Sequence, residues 1–163
     1  MTSEQPKTLS LLRHLPLLEK IHLGILAVGI ILAILNINFL ALRIALAGLA
    51  VIFFLSAYRP PEEIKEKSEN DTFGFSDMLA LIIIPKVLWI SSAVLATGIA
   101  LSFFTYGNEG YKQTLMVGIF SIAVCLILLT FFLVSGVKHL KSVNPILYRA
   151  VPAFFAGVYF FFK

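Results

Sequence analysis

Three basic residues, Arg43, Lys86 and Arg149, stand inside long apolar runs of this chain. A cation placed in hydrocarbon is costly, so an embedded ionisable group is a functional suspect by default. Each of the three is also only a few residues from the end of its run, where a long basic side chain can snorkel to the headgroups. Arg149 has the most developed surroundings, because Tyr148, Pro152 and the small residues Ala150 and Ala153 could frame an anion or a lipid headgroup. Arg43 and Lys86 are candidates for the same kind of contact.

The remaining chemistry-bearing residues offer less. Two of His14, His22 and His139 on facing helices could ligate haem or a transition metal. Their spacing matches no ligand motif, however, and carboxylate or cysteine partners are missing, so ordinary interfacial histidines are the simpler reading. Cys125, between Val124 and Leu126, lacks a neighbouring base and reads as a small hydrophobe. Ser91, Ser92 and Thr97 could line a polar path, but hydroxyls without a charge do not make an ion pathway. There is no Gly-rich phosphate loop, HExxH or GxSxG. The adjacent carboxylates Glu62 and Glu63 lie in a polar loop where solvated charge is the ordinary explanation. The expectation is a protein that is not an enzyme and binds no cofactor or metal.

The elements that must carry these residues are hydrophobic throughout. Five apolar runs, at about 21–35, 39–58, 78–104, 114–136 and 146–162, contain no Asp or Glu. With 59% hydrophobic residues and a mean hydropathy of +0.93, the 163 residues are too apolar for a water-soluble surface to cover. A span needs about 20 apolar residues in a helix, and a barrel would show short alternating segments instead. The fold class is therefore all-α: a polytopic helical membrane bundle with five transmembrane helices. The net charge of +4 records topology rather than nucleic-acid binding. One cysteine excludes an intrachain disulfide.

Residues 1–20 read as a cytoplasmic amphipathic segment bent by Pro16, followed by a retained first span rather than a cleaved signal peptide. Residues 21–163 form a single membrane domain. Asn36-Ile37-Asn38 is a tight hairpin, since one helix over 21–58 would be about 57 Å long, nearly twice the hydrocarbon thickness. Arg59-Pro60-Pro61 stops the second span. Loop 59–77 carries Glu62, Glu63 and Glu66 with Lys65 and Lys67 at spacings that suit one or two solvated helical turns. Pro85-Lys86 is expected to split the third run into 77–84 and a main span over 87–104. Gly107–Gly110 is a turn.

Lys and Arg assign the sides. Lys7, Arg13, Lys20, Arg59, Lys65, Lys67, Lys86, Lys138, Lys141 and Arg149 fall at one side of a five-span arrangement, and Arg43, Lys112 and Lys163 at the other. That asymmetry puts the N-terminus inside and the C-terminus outside. A re-entrant 146–162 would instead leave four spans. The spacing also allows two parallel hairpins plus one helix, aligned through Lys20 and Lys86. Small residues at Gly29 and Ala33, Ser92 and Ala96, and Ala153 and Gly157 are candidate helix-packing positions, either within the chain or against a partner's helix.

The stretch 39–63, FLALRIALAGLAVIFFLSAYRPPEE, resembles the second helix and exit of GldL, the membrane motor component of gliding motility and type IX secretion. The likeness is a Gly-containing apolar helix ending FFLSAY, then a charged residue and Pro-Pro-Glu-Glu. It implies a related membrane hairpin. That family has two spans and a long soluble part, whereas this chain continues with three more runs. The family's intramembrane Glu has no counterpart between Phe39 and Tyr58, so no functional residue carries over.

Taken together, the residues point to a non-catalytic multi-pass protein of a bacterial cytoplasmic membrane. The expected role is an accessory or scaffold subunit of an envelope complex, in contact with lipid and with a membrane-protein partner or further copies of itself. The alternatives are a small oligomeric transporter or channel subunit for a neutral or anionic solute, and a membrane enzyme or haem protein acting on lipid or quinone.

Overall fold

The computed structural model describes residues 7–35, 37, 39–59, 74–104, 110–135 and 143–163. Among these the secondary structure is entirely helical: α1 (Lys7–Ile34), α2 (Leu40–Ser56), α3 (Phe75–Met78), a π turn (Leu79–Ile83), α4 (Ile84–Ser102), α5 (Gly110–Val134) and α6 (Asn144–Phe162). Four stretches are long and apolar enough to cross a membrane: His14–Ile34, Leu79–Ser102, Gly110–Val134 and Asn144–Phe162. The 17-residue α2 is shorter but equally apolar. The architecture is that of a multi-pass membrane protein. The Asn36–Asn38 turn, the helical turns expected in 60–73, the turn at 107–110 and His139 lie wholly or largely outside the described residues.

Two boundaries differ from the sequence expectation. α1 runs without a break from Lys7 through Pro16 to Ile34, so the first apolar run is the inner part of a longer helix. The apolar run 21–35 contains no carboxylate, but the longer stretch His14–Ile34 that could cross the membrane includes Glu19. In the third run the helix is also continuous, from Phe75 to Ser102, and Pro85 does not split it. The π turn immediately before it, closed by the Ile84 N–H on the Leu79 carbonyl, widens the backbone where the proline ring would otherwise meet the preceding turn.

α2, α4 and α5 bury residues at spacings of three and four. On α4 the seam is Ile84, Leu88, Ser91 and Ser92, Leu95, Gly98 and Ile99; on α5 it is Leu115, Gly118, Ile122, Cys125, Leu129 and Phe132. This is the pattern of helices crossing at shallow angles with side chains set into facing holes. α4 lies at the centre, against α2, α5 and α6, and ten of its 19 residues are buried. That fits its run of serines, alanines and glycine between the larger seam residues, since small side chains let three neighbouring helices approach.

Contacts fix the relative directions. Gly29 meets Leu42 and His22 meets Gly48, so α1 and α2 are antiparallel. Gly98 faces Leu115 and Gly118 faces Leu95, so α4 and α5 are antiparallel too. α6 runs parallel to α4 along its length, from Arg149 beside Trp89, through Gly157 against Leu95, to Phe160 against Phe103.

The tightest backbone approach is at Gly29, where a Cβ would stand 2.7 Å from the Leu42 backbone nitrogen. Gly29→Ala is expected to destabilise the hairpin by about 1–3 kcal/mol, the usual range for overpacking. Gly24→Ala, which meets open space, should be neutral or slightly stabilising. Unfolding of both variants in mixed micelles measures the difference.

Candidate functional site

The seam of α1 reads Leu15, Glu19, His22, Leu26, Gly29 and Ala33, with the same alternation of four and three. Leu15 and Glu19 are both buried, Glu19 at 7% exposure. A carboxylate on an inward seam needs a counter-charge, because an unpaired charge there costs far more than any packing gain. Arg149 supplies it from α6. Its Nε donates to Glu19 Oε1 and its Nη2 to Oε2 at 3.0 Å. Nη1 donates to the Pro145 carbonyl one turn earlier. All three guanidinium nitrogens are thus engaged, two of them in the forked geometry that makes Arg–carboxylate pairs strong.

Trp89 of α4 forms the floor of this cluster. The guanidinium carbon lies 5.5 Å from its ring, within the range of cation–π attraction. Phe53 of α2 also packs against the tryptophan, tilted, with ring centroids 5.6 Å apart. His22 is oriented by its Nδ1 against the Leu18 carbonyl at 2.9 Å, and its ring fills the space left by Gly48. The cluster therefore draws on α1, α2, α4 and α6. Chemically, it is a neutralised ion pair clasped over an aromatic floor.

Arg43 occupies the other end of the bundle. Its Nη2 donates to the Phe103 carbonyl at the C-terminal end of α4, and its guanidinium carbon is 4.7 Å from the Phe104 ring. A cation on the last carbonyls of a helix is favourable both as a cap and for the helix dipole. Arg43 Nε is buried and has no partner among the described residues. Phe103 stacks with Phe39 at 6.0 Å and meets Phe160 edge-on at 5.4 Å, an aromatic layer at this end. Lys86 is exposed on α4.

The structure places the remaining candidates on packing seams. Gly29 touches Leu42, Ala33 packs against the core, and Ser92 and Ala96 are buried on α4. Ala153 and Gly157 face the core from α6. Leu95 is wedged between Gly118 and Gly157, 2.7 Å from where each Cβ would stand. Cys125 is a seam residue of α5. His14 is exposed, and among the described residues no three of His, Cys, Asp and Glu converge.

Glu19 was not among the sequence candidates, although a signal for it was present. Extending the Gly29–Ala33 seam backwards by threes and fours reaches Glu19, and the embedded Arg149 called for a carboxylate. Compared with known family models, curated proteins and solved structures, the chain matches none.

Removing one partner of such a pair leaves a buried charge, with a typical cost of about 3–5 kcal/mol. Arg149→Met alone, which leaves the buried Glu19 unpaired, should therefore destabilise strongly. The double variant Glu19→Leu with Arg149→Met should recover most of the loss. A double-mutant cycle of unfolding free energies in detergent reads the coupling directly.

Proposed function

We propose that this chain is a non-catalytic accessory or scaffold subunit of a larger complex in a bacterial cytoplasmic membrane. The observation that carries the proposal is the commitment of Arg149 and Arg43 to contacts within the chain. Glu19 neutralises one and the end of α4 takes up the other. The polar groups of the bundle are used to hold helices together, which is what a framework requires. Broad apolar faces are left for lipid or for partner helices, on α1 at Leu17, Ile21, Val28 and Ile31, and on α5 at Met116, Phe120, Ile127 and Phe131.

In this proposal all five long helices cross the membrane, with α2 as a short span, the N-terminus inside and the C-terminus outside. The distribution of Lys and Arg supports that orientation. The GldL-like stretch 39–63 adds a parallel at the level of one hairpin and assigns no residue a role.

A second reading, a small oligomeric transporter or channel subunit for a neutral or anionic solute, is favoured by one observation. The Ser92 hydroxyl is completely buried and has no partner among the described residues, whereas Ser56, Thr97 and Thr130 each donate to a carbonyl one turn back. An unsatisfied hydroxyl in a membrane interior is a natural contact for a water or a solute.

Purification of the tagged protein at native level in mild detergent separates the readings. A stoichiometric membrane-protein partner in the co-eluting fraction is the expected result. A homogeneous oligomer of this chain alone, with solute flux in liposomes that Ser92→Ala reduces, would overturn it. For orientation, the Lys163→Cys variant in a Cys125→Ser background should react with an impermeant maleimide on intact spheroplasts. Glu66→Cys in that background should react only after permeabilisation.

A further inference from the structure

Between the π turn, the start of α4 and the middle of α5 runs an open trough of about 270 Å³, lined by aliphatic side chains and Phe120 together with Ser121 and Cys125. Ile84 and Cys125 are buried and form its floor, while Ile83, Phe120 and Val124 are exposed along its edges. It follows the helix axes over residues 79–87, about 12 Å at 1.5 Å per residue. Lys86 does not itself line the trough, but it is exposed on α4 and three residues from Ile83 and one from Val87, which do.

We propose that this trough binds one acyl chain of an anionic phospholipid, with Lys86 holding the headgroup phosphate. The charge argues for this occupant. Of the three cations embedded in apolar runs, Arg149 is neutralised by Glu19 and Arg43 caps α4. Lys86 has no ion pair among the described residues. Helical side chains lean toward the N-terminus of their helix, so the ammonium reaches back toward the Phe75 end, where the polar loop leaves the helix. The lining is aliphatic apart from Phe120, Ser121 and Cys125, suited to a methylene chain. The trough is also built into the backbone, because the π turn that accommodates Pro85 forms one wall. A lone lysine beside featureless helix would attract anionic lipids only diffusely; the trough adds a fixed place for the chain.

The test is native mass spectrometry of the full-length protein in a non-ionic detergent, titrated with phosphatidylglycerol or with phosphatidylcholine of identical acyl chains. The expected result is one tightly retained phosphatidylglycerol, in preference to phosphatidylcholine. Lys86→Gln should weaken phosphatidylglycerol about five-fold, the effect of one basic residue at an anionic membrane surface, and leave phosphatidylcholine unchanged. Ser121→Phe, which fills the trough, should weaken both lipids. Lys20→Gln removes an exposed cation on α1 and should change neither. Equal retention of the two lipids, or full phosphatidylglycerol retention by Lys86→Gln, would overturn the proposal. So would a dimer that Ser121→Phe dissociates, since the occupant would then be a second copy. The measurement needs no partner protein, so its outcome is independent of the accessory-subunit reading.

Discussion

The Glu19–Arg149 ion pair sets the arrangement around it. A charge taken toward hydrocarbon must be neutralised, hydrogen-bonded or carried back to the surface, because the medium offers little solvation. Here the partners come from helices that are 130 residues apart in the chain at the point of contact. Closing the pair requires Glu19 on α1 and Arg149 on α6 to lie at one depth, and Trp89 of the central helix lies beside the guanidinium. Arg43 follows the same rule by a different route, with a helix end in place of a carboxylate. The buried pair is not in itself a source of large stability, since desolvation offsets much of the attraction. Its contribution is specificity: the sheltered charges are satisfied in one register and exposed to hydrocarbon in others.

The second constraint is steric. Helices in lipid gain little from excluding water, so they associate through close fit. The glycines are placed accordingly. Gly29 lets the α1 and α2 backbones touch, and Gly118 and Gly157 both make room for Leu95. α4 is the helix that benefits, and its Ser-, Ala- and Gly-rich face allows three neighbours to approach it. α1, in contrast, packs mainly on α2 and leaves most of its surface apolar and exposed.

That combination bears on function. A bundle whose embedded arginines are matched internally, and whose outer faces are smooth and apolar, is equipped to fit among other membrane components. The trough beside the π turn interrupts that outer surface. It joins an irregular backbone to a cation with no ion pair among the described residues, the basis of the proposed lipid site.

Hydrophobicity and periodicity are local properties, and they were legible without a structure. The helical membrane class and the long apolar helices follow from residue type and spacing, because a backbone in lipid has few ways to satisfy its hydrogen bonds. The suspicion attached to Arg43, Lys86 and Arg149 came from the same source. What each cation meets was a question of tertiary structure. Glu19 sits outside the apolar run as read by composition, yet the continuous α1 brings it to Arg149 across the bundle. Likewise, Pro85 reads as a break in the chain but is absorbed by a π turn within one helix. Sequence determined which groups needed a partner in the membrane; only the packing of α1, α4 and α6 decided which partner each received, because that depends on register between helices far apart in the chain.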